Sequence, residues 1–218
     1  MLSQLIYGSQ ISVSVGFIAG LLSTLVAIVI GLSWGYIRGF GADVINFIVN
    51  LFLVIPGLPL MIVIAAYLQN GGLVMIVAVI VITGWAWGAR VLRAQTQTLR
   101  SRDFVTAARF SGEPAWRIVF KEILPNMTSI IAGGFFGAAT SAILAEAGLE
   151  FLGLGDSSIV SWGTILYWAQ NSNALLTGQW ILLFAPGLCI ALLALSLTLI
   201  NFGVDAISNP RLREGKSR

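Results

Sequence analysis

Glu146 and Glu150 stand four residues apart in "ILAEAGLEFLGLG" and are the only charged side chains embedded in an apolar run of this chain. On a helix they share a face. A carboxylate pair so placed either meets a cation or a substrate amine near a membrane entrance, or is a hydrogen-bonded structural pair near the interface. The 218 residues contain no histidine, and the one cysteine, Cys189, lies inside an apolar stretch. A Cys/His metal cage and a disulfide framework are therefore excluded. Elsewhere no base, nucleophile or metal cluster converges, which argues against an enzyme. Gly215 to Ser217 read "GKS", the end of a phosphate loop. The required glycine five residues earlier is Pro210, and no helix follows to present backbone amides. No nucleotide site belongs to this chain.

The other concentration of polar chemistry is "DFVTAARFSGEPAWRIVFKEILPN", Asp103 to Asn126. Its pattern predicts two short helices around a turn. Asp103 caps the first, whose face carries Phe104, Ala107, Ala108 and Ser111. Gly112 suits the left-handed position that ends a helix, and Pro114 suits the first turn of the next. The second helix places Trp116, Val119, Phe120 and Ile123 on one stripe, with Arg117 and Lys121 on another face. Pro125 marks the entry to the following apolar segment. Such an elbow either lies on anionic lipid or docks a partner. The small side chains of Ala107 and Ala108 beside a bulky Phe suit a protein groove better than lipid.

The elements that must position these groups are apolar. The chain is 57% hydrophobic and 10% charged, with a mean hydropathy of +0.92. Five segments are long enough to cross a bilayer as helices: Ser12 to Ile37, Val44 to Leu68, Leu73 to Ala89, Met127 to Leu149, and Trp180 to Phe202. They do not alternate as barrel strands would. Unbroken apolar runs in lipid must satisfy their backbone internally, so they are helices. The fold class is all-α: one polytopic bundle over residues 1–218, with a polar loop over about 99–126 and another over about 150–179.

Every basic residue falls on one side. Arg38 follows the first span. Arg90, Arg93, Arg100, Arg102, Arg109, Arg117 and Lys121 lie between the third and fourth, and Arg211, Arg213, Lys216 and Arg218 form the tail. The alternate connections, "QNGG" and Glu150 to Gln179, hold none. Basic residues stay on the cytoplasmic side. The loop and C-terminus are thus expected inside, and the N-terminus outside. Met1 is not followed by a signal peptide pattern, so an outside N-terminus means either that the first span inserts with its N-terminus translocated or that the natural chain carries an earlier span, which is the expectation here. Trp162, Tyr167, Trp168 and Trp180 flank the outer connection, either as headgroup anchors or as packing within an external fold. "VIPGLP", Val54 to Pro59, bends the second span. GxxxG pairs at Gly16–Gly20, Gly31–Gly35, Gly84–Gly88 and Gly133–Gly137 support close helix packing.

The spacing of "TAA", three residues, "G", ten residues, "ILP" resembles the coupling loop of prokaryotic ATP-binding-cassette importer permeases. "YGSQISVSVG", "RDFVTAARFSG", "ILAEAGLEFLGLG", "SWG" and "NPRLR" follow in an order similar to the second permease subunit of dipeptide, oligopeptide and nickel importers. The resemblance covers nearly the whole chain. It implies half of a translocation path in a prokaryotic inner membrane. The implied partners are a homologous permease, two cytoplasmic ATPase subunits that hold the ATP and Mg, an external substrate-binding protein and membrane lipid, with no nucleic acid. It assigns ATPase docking to Asp103, Thr106, Ala107, Ala108, Arg109, Gly112 and Pro125, and leaves Glu146 and Glu150 as outer pathway contacts. This chain is expected to bind no cofactor itself.

Two positions depart from the family pattern. Thr106 replaces the usual glutamate, which removes a charge contact to the ATPase, and Glu122 replaces an isoleucine. Relatives also begin with a cytoplasmic segment and one further span. Among cargoes, short peptides fit better than nickel, which favours imidazole, thiolate or carboxylate ligands; oligosaccharides fit the same lining. An ion-coupled secondary transporter is the alternative class.

Overall fold

The computed structural model describes residues 1–68 and 72–208. Gln69 to Gly71, the basic tail with Arg211, Arg213, Lys216 and Arg218, "NPRLR" and "GKS" lie outside the described residues. The architecture is helical throughout them. α1 is Leu2–Tyr36, α2 Phe40–Val54, α3 Gly57–Tyr67, α4 Gly72–Leu99 and α5 Asp103–Phe110. α6, Ala115–Arg117, runs through a π-helical turn (Ile118–Ile123) and a 3-10 turn (Leu124–Met127) into α7, Thr128–Phe151. α8 is Trp162–Asn171, and α9 is Ile181–Ser208.

α1 is the central rod, 35 residues and about 52 Å long. Two glycine pairs let it approach two neighbours. A Cβ at Gly31 would lie 2.6 Å from the Ala89 carbonyl oxygen, and one at Gly20 would lie 2.7 Å from the Ala139 backbone. The first pair thus seats α1 on α4 and the second seats it on α7. Gly84 and Gly88 face Ser23 and Ala27 more loosely, while Gly137 has nothing within 4 Å. Among the described residues Gly137 therefore brings no neighbouring helix close.

Two apolar cores flank this rod. One, at the end bearing α5 (the loop end), gathers Leu32, Trp34, Val49, Leu92, Val105, Ile118 and Ile123. At the opposite end, under α8 (the cap end), Val15, Ile76, Val79 and Leu149 pack together, beside Ile143, Trp162 and Ile165. α9 turns Ile181, Phe184, Leu188, Leu192, Leu195 and Leu199 outward, all more than half exposed. That stripe recurs every three or four residues and suits a lipid-facing helix.

Four helical stretches are long and apolar enough to cross a membrane, or five if the bent α2–α3 pair counts as one. The expected second span, Val44 to Leu68, is that pair. Its halves meet at 92°. Pro56 lacks the N–H needed to continue the helix and forces Ile55 into extended backbone, ψ 127°. The third span was expected to end at Ala89, where charge begins. α4 continues to Leu99 because Arg, Leu, Ala and Gln are strong helix formers; polarity ends burial in lipid without ending a helix. Its added turns carry Arg90, which bonds Asn50, and Arg93, whose guanidinium lies 3.8 Å over the buried Trp34 ring. These contacts hold α2 and α1 to α4.

The connection from Glu150 to Gln179 contains a helix, α8, that hydropathy alone did not reveal. Ser161 Oγ accepts from Thr164 N at 3.0 Å, and Thr164 Oγ1 accepts from Ser161 N at 2.8 Å. This reciprocal cap starts the helix. Trp162 is buried and donates through Nε1 to Leu5 O at 3.1 Å, so it packs α8 on α1. Trp168 and Trp180 are more than half exposed.

Candidate functional site

Three features could carry function: the α5–α6 loop, a cleft within the bundle, and the carboxylate pair. In the loop, α5 is anchored by Val105, which is fully buried in the loop-end core. Phe104 and Ala107, expected on the face that meets a partner's groove, are exposed. The polar Arg102 is the N-cap, and Asp103 occupies the first turn with no side-chain capping bond. Asp103 thus serves the helix through its charge near the N-terminus, not through the expected cap.

The turn itself is as the pattern predicts. Gly112 has φ +78°. Its N–H donates to Arg109 O at 3.0 Å, and Glu113 N–H donates to Ala108 O at 3.1 Å. That is the pairing of a Schellman ending, which needs a left-handed residue at this point. Beyond Pro114 the expected stripe breaks up. Ile118, Val119 and Ile123 are buried, while Trp116 is 62% exposed. In the π-helical turn, residues five apart align, so Ile118 and Ile123 share the buried face. Pro125 then interrupts the ladder within the 3-10 turn.

The exposed side of the loop presents Thr106, Ala107, Phe110, Ser111, Gly112 and Trp116. Phe110, at 88% exposure, was missed by the sequence reading. Thr106 Oγ1 donates to Arg102 O at 3.3 Å. Arg109, also exposed, donates through Nε to Tyr36 Oη at 3.3 Å.

The cleft encloses about 480 Å³ between α1, α3, α4 and α7. Gly134, Gly137 and Ser141 of α7 line one wall, opposite Ser23 and Thr24 of α1 and Gly88 of α4. Trp85 and Trp87 add aromatic surface, and no charged side chain lines it. The Thr24 hydroxyl is committed to Gly20 O at 2.7 Å, whereas Ser23 Oγ has no partner among the described residues. Met61, Ile80, Val91, Leu92, Ile130 and Ile131 make most of the remaining wall apolar, and an uncharged, largely apolar surface with a few hydroxyls can accept a varied solute with few fixed contacts.

Glu146 and Glu150 do not line this cleft. Both are buried at the cap end, at 0% and 1% exposure. Ser12 Oγ of α1 donates to Glu146 Oε1 at 3.1 Å, and Ser161 Oγ donates to Glu150. Gly163 packs so closely that its Cβ would lie 2.7 Å from that of Glu150. The structure thus unites three separate stretches, "YGSQISVSVG", "ILAEAGLEFLGLG" and "SWG". Outside the apolar zone, Asp156 accepts from the Ser158 hydroxyl at 2.6 Å and amide at 2.9 Å, which hold its carboxyl below the usual range.

Residues 27–214 match the family described as "Binding-protein-dependent transport system inner membrane component". The chain belongs to that family. Among curated relatives it is 31% identical to the dipeptide transport system permease protein DppC of Bacillus subtilis (strain 168), over 95% of this chain and 64% of that protein. It is also 31% identical to the oligopeptide transport system permease protein OppC of Mycobacterium tuberculosis (strain ATCC 25618 / H37Rv), over 88% of this chain and 66% of that one. The chain therefore spans just under two thirds of the length of these two relatives. The di/tripeptide transport system permease protein DppC of Pseudomonas aeruginosa (strain UCBPP-PA14) is likewise 31% identical and is covered to 69%. An inward-facing crystal form of the MetNI methionine ABC transporter shares the fold, with a TM-score of 0.78 at 16% identity over 96% of this chain and 98% of that one.

In this inner membrane component the predicted loop residues divide by environment. Thr106, Ala107 and Gly112 are on the exposed side, Ala108 is half-buried against the loop-end core, and Arg109 is engaged with Tyr36. Tyr36 gave no signal of its own in the sequence, because its two arginine partners lie far along the chain.

Proposed function

We propose that this inner membrane component is one permease subunit of an ATP-driven, binding-protein-dependent importer of short peptides. It pairs with a homologous permease, two cytoplasmic ATPase subunits that bind ATP and Mg, and an external binding protein. The observation that carries the reading is the exposed small-and-aromatic face of the α5–α6 loop, set on a helix–turn–helix at one end of the bundle. Small side chains beside Phe110 and Trp116 form a knob suited to a protein groove. Partition of the basic residues supports a cytoplasmic position for that end and an external one for α8. Hydrolysis resides on the ATPase subunits, and this chain turns their closure into a change of pore state.

The cleft supports the peptide cargo, since it offers small residues and the Ser23 and Ser141 hydroxyls within a largely apolar, uncharged lining. Among the described residues no three Cys, Asp or Glu side chains gather as a metal site, which favours peptides over nickel. The burial of Glu146 and Glu150 supports a structural role, holding α8 rather than meeting cargo. The test is uptake into vesicles by the complex assembled with its binding protein. Labelled di- to pentapeptides, cello-oligosaccharides and nickel are offered separately, and ATP-dependent peptide uptake is expected. Nickel uptake without peptide uptake refutes the cargo. Movement of solute by the purified chain alone down an ion gradient refutes the importer reading.

A further inference from the structure

The loop end of α1 is held by two arginines from different elements. Arg100, just after α4, donates through Nη1 to the carbonyls of Gly35 at 3.3 Å and Tyr36 at 2.8 Å. The last carbonyls of a helix lack intrahelical donors and carry partial negative charge, so a cation there is favoured. Arg109, in the last turn of α5, donates to the Tyr36 hydroxyl and lies 5.1 Å from its ring centroid. Tyr36 thus accepts one arginine on its backbone and another on its side chain. Among the described residues the ion pair formed is Arg117–Glu113, elsewhere in the loop. Arg100 and Arg109 are held by carbonyls, a hydroxyl and a π face rather than by a carboxylate.

Neither grip would matter mechanically if α1 were loose, but it is not. A Cβ at Gly35 would lie 2.6 Å from the Thr96 side chain, so the final turn of α1 is pressed onto α4. Val105 of α5 is buried in the same core as Leu32 and Trp34 of α1. At the far end Ser12 of α1 joins Glu146 and accepts from Trp162 N at 3.1 Å. One helix therefore links the loop to the cap.

We propose that Tyr36 is a positioning residue that clasps α5 to α1, so that displacement of the loop is delivered along α1 to the α7–α8 end. The inference rests on the reading of the loop as the ATPase docking element. Tyr36 touches no cargo; it sets how faithfully loop movement reaches the membrane helices. The Arg109 guanidinium is thereby assigned to this clasp and not to direct contact with the ATPase.

The test uses the assembled complex in vesicles, with Cys189→Ser and a reporter thiol from Gln10→Cys at the exposed cap end of α1. Two quantities are read: peptide moved per ATP hydrolysed, using labelled trialanine, and the ATP-dependent change in maleimide labelling of the reporter. Tyr36→Leu removes ring and hydroxyl and is expected to keep co-purification and ATP hydrolysis while lowering the transport ratio about ten-fold. The ATP-dependent labelling change should vanish with it. Tyr36→Phe and Arg109→Lys, which keep the ring and the charge respectively, should fall in between. A transport ratio and labelling change equal to the parent's in Tyr36→Leu overturn the proposal. If Tyr36→Leu does not assemble, parent values in both conservative variants overturn it equally. A parent complex that transports the peptide with no ATP-dependent change at the reporter overturns the α1 route while leaving the importer reading intact. A parent that hydrolyses ATP, shows that change and moves no peptide refutes the cargo and leaves the clasp standing.

Discussion

Ser12 Oγ on α1 and Glu146 Oε1 on α7 are bonded at 3.1 Å across 134 positions of sequence. The same hydroxyl accepts from the Trp162 amide at the start of α8. One small side chain therefore fastens three elements in a site closed to solvent. Ser12→Ala orphans a buried carboxylate oxygen and a buried amide, and should cost about 1.5–3 kcal/mol. The measurement is the thermal unfolding midpoint in detergent, which should fall for Ser12→Ala. Glu146→Gln, which keeps an oxygen acceptor for Ser12, should hold the midpoint near the parent's. An unchanged midpoint in Ser12→Ala removes the fastening role.

Gly20 and Gly137 should respond oppositely to the same substitution. A methyl at Gly20 meets the Ala139 backbone, whereas one at Gly137 meets nothing. Gly20→Ala must part α1 from α7, and overpacking of this kind costs about 1–3 kcal/mol. Gly137→Ala should leave the isolated chain as stable as before. Equal midpoints for the two variants contradict the packing described.

Gly112→Val should separate folding from coupling. The left-handed conformation at φ +78° costs a residue with a Cβ about 1–2 kcal/mol, and nothing is packed against the site to hold the turn. The membrane helices should insert normally, because none depends on this turn. ATP hydrolysis stimulated by loaded binding protein should be lost in the reconstituted complex. Full stimulation in the variant argues against the loop as the coupling element.

Thr106→Glu is expected to strengthen assembly. The Thr106 side chain is exposed and bonded only to its own helix backbone at Arg102, so the substitution leaves no buried group unpaired. A charged contact to the ATPase adds about 1.5–3 kcal/mol, visible as tighter binding in a co-purification titration. Weaker binding would show a partner groove adapted to threonine.

Hydropathy located the membrane helices because lipid acts on every residue of a span at once. Gly112 was legible for a similar reason: its turn is set by backbone sterics within a few residues. Val105 was not legible as the anchor of α5, since only the position of Leu32 and Trp34 in the folded bundle shows that it is buried. The stripe from Trp116 to Ile123 failed because the sequence was read at α-helical pitch, while the chain takes a π turn ahead of Pro125. The carboxylates were recognisable as unusual. Their partners, Ser12 and Ser161, belong to elements that meet only once the bundle has closed.

The division of α1 between two neighbours has a consequence for biosynthesis. Its loop-end half is matched to α4, which ends at Leu99, while its cap-end half is matched to α7. A nascent chain leaving the ribosome can cover Gly31 with Ala89, but Gly16 and Gly20 stay bare until Ala139 and Ile143, about fifty residues later, are made. During that interval the groove on α1 is open to any passing helix with small side chains. Correct maturation thus depends on holding α1 beside the insertion machinery until α7 arrives. Slowing translation between the codons for α4 and α7 should lengthen that exposure and raise the share of chain that is degraded.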